Sequence, residues 1–127
     1  VQLGGIALQD ASQGLEVQTW YLNVDDSGDF LLRADSVAQT LLFTRPGTTW
    51  ARLSFDQNMF PIISFVQSGQ PYYYWYNPLI PAFQFVPMDA GVTFPCVTMD
   101  DKRALEVRLG TNDVILAYLR GGSLYYR

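Results

Sequence analysis

The sequence has no histidine, one cysteine and one lysine among 127 residues, and each scarcity removes a class of chemistry. Without histidine there is no side chain that ordinarily titrates near neutral pH and no imidazole to bind zinc. A His-dependent hydrolytic triad and a His-rich metal centre are therefore excluded. Cys96 has no partner for an intrachain disulfide, and within Phe94-Pro95-Cys96-Val97 it is expected as a packed thiol at the start of a buried strand. Lys102 is the only lysine, so seven arginines supply the other cations. Arginine favours planar stacking and fixed ion pairs over flexible solvation. Because interfaces deplete Lys and favour Arg, Tyr, Trp and Phe, the composition points to an assembled protein.

Charge is scarce as well, at 16% of residues with a formal net charge of -4. That balance gives no general electrostatic grip on phosphates, so no nucleic acid partner is expected. Long apolar runs are missing: Tyr72 to Tyr76 and Leu79 to Phe83 are interrupted by Pro78 and Pro81, which excludes a membrane-spanning helix and predicts no membrane insertion. Val1-Gln2-Leu3-Gly4-Gly5-Ile6 lacks the positive and apolar stretches of a secretion signal. Starting on Val1 and stopping on Arg127, the chain reads as an excised piece or a trimmed product.

What is present is apolar and aromatic. Hydrophobic residues make up 49% and aromatics 15%, enough apolar surface to offset chain entropy and fold. The length suits a single β domain over residues 1–127, alone or within a larger protein or oligomer. One phrase is written twice. Arg52-Leu53-Ser54-Phe55-Asp56 leads through Ile62-Ile63-Ser64-Phe65-Val66 and Gly69 to Tyr72-Tyr73-Tyr74-Trp75-Tyr76. Val97-Thr98-Met99-Asp100 leads through Ile115-Leu116-Ala117-Tyr118-Leu119 and Gly122 to Leu124-Tyr125-Tyr126. Each copy is a strand ending in Asp, an apolar strand, a Gly turn and an aromatic strand. The fold expected is all-β, with repeated antiparallel units resembling propeller blades or a β-sandwich, the units lying at about residues 51–77 and 95–127.

Finer signals fit that plan. Leu15 to Leu32 reads as a hairpin turning at Asp25-Asp26-Ser27-Gly28-Asp29, with Gly28 supplying positive φ. Ala34 to Gln39 is open between a helical turn and extended chain, whereas Thr40 to Thr44 favours a strand. Arg45-Pro46-Gly47-Thr48 is a turn of type II character. Asp56-Gln57-Asn58 is read as another turn, and Phe83-Gln84-Phe85-Val86 as an alternating strand. Ile62 to Val66 is apolar on both faces and is placed inside the fold, not at an edge. Asp100 follows Asp56 by 44 residues but Gly122 follows Gly69 by 53, so Lys102 to Gly110 is expected as an insert in a lengthened hairpin.

Three constellations could carry chemistry. Asp25, Asp26 and Asp29 with the pair Asp100-Asp101 supply carboxylates for a glycosidase-like acid and base, but Asp at strand ends beside Gly is an ordinary turn former. The same Asp25 to Asp29 turn could offer oxygen ligands to calcium, although it lacks EF-hand spacing. It is similar to the Asp-box turn of sialidase-type propellers, except that Phe30 follows directly where that pattern reaches its aromatic later. The third is the aromatic ladder. Tyr72, Tyr74, Trp75 and Tyr76 are candidates for stacking on sugar rings or for subunit contact, with core packing as the competing role. With no Gly-rich phosphate loop, CxxC pair or basic amphipathic helix, no cofactor is expected.

From Ala51 to Arg127 the chain resembles virion structural proteins of tailed bacteriophages. The likeness rests on Asp100-Asp101-Lys102-Arg103 and on Asp113 to Arg127, where an apolar strand of the form Val114-Ile115-Leu116-Ala117-Tyr118 precedes Arg120-Gly121-Gly122-Ser123-Leu124-Tyr125-Tyr126-Arg127. Pro61-Ile62-Ile63-Ser64-Phe65 fills the apolar-strand role in the preceding unit. The resemblance implies a non-enzymatic virion component of the tail or its host-facing end, with other virion proteins and further copies of itself as partners. Residues before Trp50 share only the style. A host-glycan-binding module is the second reading, carried by the aromatic ladder, and a glycoside hydrolase fragment is the third.

Overall fold

A computed structural model of the chain describes residues 2–8, 17–34, 37–56, 60–99 and 114–126. The described residues form eleven strands and no helix. They are β1 (Gln2–Leu8), β2 (Val17–Val24), β3 (Asp29–Ala34), β4 (Val37–Thr44), β5 (Thr48–Phe55), β6 (Pro61–Gln67), β7 (Gln70–Asn77), β8 (Ala82–Pro87), β9 (Val92–Met99), β10 (Val114–Arg120) and β11 (Ser123–Tyr126). Each strand pairs antiparallel with its sequence neighbour inside three sheets: β1 to β4, β5 to β8, and β9 to β11. The fold is therefore all-β and built from repeated meanders, as the repeated phrase predicts.

The two written copies map onto the first three strands of the second and third sheets. The boundaries expected at about 51–77 and 95–127 are narrower than the units observed. The middle unit continues through β8, and the third begins at Val92. The first sheet is also a four-stranded antiparallel unit. Its β1 contains Gly4 and Gly5, which mask a strand signal. Val37–Thr44 is extended throughout, so the strand expected from Thr40 starts earlier. The Asp100-Asp101 pair and the Lys102 to Gly110 insert lie outside the described residues, as do Gln57 and Asn58.

The sheets stack face upon face with the second in the middle. Strand alternation sends Ala51, Ile63, Phe65 and Tyr74 toward the first sheet, where they meet Leu22, Val24 and Phe30 in one buried cluster. Phe30 and Phe65 approach edge-on at 5.2 Å between ring centres. The opposite face meets the third sheet: Ser64 donates its hydroxyl to the Pro95 carbonyl at 2.6 Å, and the Trp50 indole donates to that same oxygen at 3.2 Å. Pro61 to Phe65 is accordingly buried residue after residue. The placement of this strand inside the fold is observed.

Across sheet boundaries β1 and β2 approach β5, and β9 lies across β5, β6 and β7. The last strands of the first two sheets meet through their side chains, with Phe43 of β4 edge-on to Phe85 of β8 at 4.9 Å.

Turn chemistry holds the units in register. Gly28 has φ of 82°, and a Cβ there would run into the Arg45 carbonyl oxygen. Asp25 Oδ1 accepts from the amides of Ser27 and Asp29, both at 2.9 Å. Asp29 Oδ1 accepts the Thr44 hydroxyl at 2.6 Å. Gly47, with φ of 81°, makes the turn that links the first two sheets, and Thr48 Oγ1 donates to the Arg45 carbonyl at 2.7 Å. In β9 a register shift accompanies a positive φ of 51° at Phe94, a left-handed conformation that costs a non-glycine residue energy. The Phe94 ring meets Trp50 at 4.8 Å, beside the Pro95 carbonyl that binds the middle sheet.

Cys96 is corrected by this geometry. Pro95 and Val97 are buried while Cys96 is exposed. The strand is buried on one face only, and Cys96 occupies the other, so it is not a packed thiol.

Candidate functional site

The aromatic ladder divides by strand alternation. Tyr72, Tyr74 and Tyr76 lie on the face toward the first sheet with Ile63 and Phe65 of β6 and Phe83 and Phe85 of β8. Tyr74 is buried, with its ring parallel to Phe83 at 4.8 Å and against Phe43 at 4.6 Å. Burial pushes its hydroxyl pKa above the usual 10.0. Tyr72 is half-buried and stacks on Phe65 at 5.4 Å. Tyr76 packs on Phe60 at 4.3 Å. The Arg45 guanidinium lies 4.1 Å over Phe85 and 5.7 Å from the Tyr72 ring centre, a cation–π contact along the seam between the first two sheets.

Tyr73 and Trp75 take the other face. Trp75 is half-buried, and its indole nitrogen is buried with no hydrogen-bond partner among the described residues. Of the candidates Tyr72, Tyr74, Trp75 and Tyr76, the structure brings the three tyrosines together within an aromatic layer and turns Trp75 away from them. No open platform for a sugar ring is formed by the four.

A concave site lies on the Tyr73 side. Between the middle and third sheets, Tyr73 of β7, Val86 and Pro87 of β8, Asp89, Val92 of β9 and Tyr118 of β10 line a cleft of about 400 Å³. It exists because β9 packs against the middle sheet whereas β10 and β11 make no backbone approach to it, leaving a wedge between the outer strands. Tyr118 is stacked with Tyr125 at 5.7 Å. Phenol groups and a carboxylate around an apolar floor suit a neutral polyhydroxyl ligand, whose ring faces stack and whose hydroxyls donate. Asp89 and Tyr118 were not singled out in the sequence, since only the stacking of sheets brings four strands to one place. The alternation of Tyr73 out of phase with Tyr72 and Tyr74 was the one available signal.

Of the sequence-predicted carboxylates, Asp25 and Asp29 serve their hairpin turn as above, and Asp100 and Asp101 lie outside the described residues. Asp56, at the end of β5, plays a like part: its Oδ1 accepts the Phe60 amide at 2.9 Å.

The two outward faces of the stack differ from these internal seams. On the third sheet, pairing sets Cys96, Ala117 and Tyr126 side by side and Leu119 beside Leu124, with Ile115 on the same face. Ile115 is 39% exposed, Leu124 74% and Tyr126 86%. On the first sheet, Tyr21, Asn23, Leu31, Arg33 and Gln39 border a shallow outward groove. Leu41 pairs with Leu31 on that face and is exposed. The Arg33 guanidinium sits 5.3 Å over the Tyr21 ring.

No protein-family model, no curated protein and no solved structure matches this chain. The class defined by the fold is an all-β stack of three antiparallel meanders.

Proposed function

We propose that the chain is a non-enzymatic structural component of a tailed-bacteriophage virion, of the tail or its host-facing end, working through contacts between β-sheets. The observation that carries an assembly role is the outward face of the third sheet, where Ile115, Leu124 and Tyr126 are exposed together beside the edge strand β11. Exposed apolar side chains on one sheet face mark an interaction surface, and a strand edge that no described strand pairs with offers backbone donors and acceptors to a partner. Three further supports are the repeated phrase with its likeness to virion proteins, the near absence of lysine, and the use of Asp25, Asp29 and Asp56 in turns. The virion is then the place where the chain is found. Proteomic measurement of density-purified particles tests this: the chain is expected at a level proportionate to known structural proteins. Abundance in infected cells with absence from particles overturns the reading.

A second reading is favoured by the cleft alone. Tyr73, Asp89 and Tyr118 would bind a neutral host-surface glycan. A Tyr118→Ala change is then expected to abolish binding on a glycan array while leaving the denaturation midpoint nearly unchanged. An array with no hits for the unaltered chain removes this reading.

A further inference from the structure

We infer that the cleft between the middle and third sheets sorts glycans by charge, with Asp89 as the residue that sets this specificity: it admits uncharged sugars and excludes those bearing carboxylate, phosphate or sulfate. This rests on the glycan reading of the cleft and names the class of sugar. Asp89 stands in the turn between β8 and β9, exposed at the cleft, and it is the one charged residue among the described residues of the lining. From Gln57 to Met88 the sequence has no charged residue, so β6, β7 and β8 bring no cation to their wall. The third sheet faces them with Val92, Leu116 and Tyr118. Arg120 lies two residues beyond Tyr118 on β10, exposed and outside the lining. The turns at this end of the two sheets, Ser68-Gly69, Met88 to Gly91 and Gly121-Gly122, are all among the described residues.

The strand beneath the cleft departs from regular pairing at this place. Val97 and Pro95 of β9 are buried toward the middle sheet, and strict alternation would put Thr93 next on that face. Instead the register with β10 shifts by one residue opposite Tyr118, Phe94 takes φ of 51°, and Val92 is buried in the cleft while Thr93 is exposed. Bulges re-aim side chains beside binding and catalytic sites, and left-handed strain at a non-glycine residue concentrates there as well. Tyr73 and Tyr118 stand on opposite walls, and Tyr118 is braced by Tyr125. Phenol rings on both sides hold the faces of a sugar ring. The Asp89 carboxylate then accepts from hydroxyls at the ring's edge, in charge-assisted hydrogen bonds roughly twice as strong as neutral ones. It has no proton to donate to an anionic sugar and repels it.

An array of paired oligosaccharides tests the sorting, each pair ending in a hexose or in the matching hexuronic acid, so that its members differ only in a hydroxymethyl group against a carboxylate. The full chain is applied unaltered and as Asp89→Asn, Asp89→Glu and Arg120→Gln. The unaltered chain is expected to bind the neutral member of at least one pair about tenfold more tightly than its acidic partner at low salt. That gap should narrow as salt screens an exposed charge. Asp89→Asn is expected to weaken neutral binding about tenfold and to leave the two members nearly equal, whereas Asp89→Glu keeps the preference and Arg120→Gln leaves it unchanged. In its turn Asp89 is held through its backbone carbonyl, which accepts the Val92 amide at 3.4 Å, so the denaturation midpoints should match; Asp89→Ser replaces Asp89→Asn if the latter's midpoint falls. Equal binding of both members by the unaltered chain, or a preference that survives Asp89→Asn, overturns the sorting and leaves the glycan reading standing. Binding of acidic members that Arg120→Gln abolishes overturns it too. No binding to any member removes the glycan reading itself, and the inference with it.

Discussion

The middle and third sheets begin with the same phrase and end in different environments. In the middle sheet, β6 is covered on both sides, by Leu22 and Phe30 on one and by Pro95 on the other. In the third, β10 occupies the corresponding place, yet Ile115 is exposed and β11 is exposed along its length. Similar sequence has therefore produced core in one unit and surface in the next. What separates them is position in the stack: a strand apolar on both faces is satisfied only when it has a sheet on either side. The third sheet carries the interior's sequence on its outer face, which is why that face is the best candidate for a partner.

Substitutions can break this contrast, and the largest effect is expected in the middle. Phe65 is fully buried, and Phe65→Ala should cost about 3–5 kcal/mol in chemical denaturation, from lost apolar burial and the cavity left behind. A smaller loss, still more than about 1 kcal/mol, is expected for Gly28→Ala, because the new Cβ meets the Arg45 carbonyl in a left-handed conformation. Ser64→Ala should cost about 1 kcal/mol by the same assay, since the Pro95 carbonyl loses one of its two donors and keeps Trp50. On the outer face the expectation reverses. Leu124→Ser should change the monomer's stability by less than about 0.5 kcal/mol, because Leu124 is 74% exposed.

Tyr74 gives the contrast a pH signature. Its pKa is raised by burial, so the unfolded chain loses this proton more readily than the folded one. The stabilisation from keeping the hydroxyl protonated is complete below pH 10.0 and is lost as pH rises through the higher folded-state value. Stability should decline as pH rises from 10.0 through the folded-state value, and Tyr74→Phe should remove this part of the decline in denaturation curves measured across alkaline pH. An unchanged alkaline profile in the variant would place the Tyr74 hydroxyl in solvent.

Much of this arrangement was legible because β structure writes its faces at period two. The interior position of Ile62 to Val66, the Gly28 and Gly47 turns and the division of Tyr72 to Tyr76 all follow from local pattern. Cys96 was misread for a reason internal to that pattern: Pro95 and Val97 signal a buried strand, but in a strand buried on one side every second residue faces out. The first sheet was read in part, from its hairpin, because Gly4 and Gly5 leave β1 without side chains that signal a strand. The Tyr73, Asp89 and Tyr118 cleft was not legible at all, since it depends on how far β10 stands from β7, a distance set by sheet packing.

Residue-resolved hydrogen exchange on the folded monomer tests the contrast most directly. Amides of Ile63, Ser64 and Phe65 in β6 are expected to exchange only through global unfolding, while those of Leu124, Tyr125 and Tyr126 in β11 exchange through local opening at far lower free energy. Equal protection in β6 and β11, or faster exchange in β6, would contradict a middle sheet enclosed on both faces and an outer sheet left open.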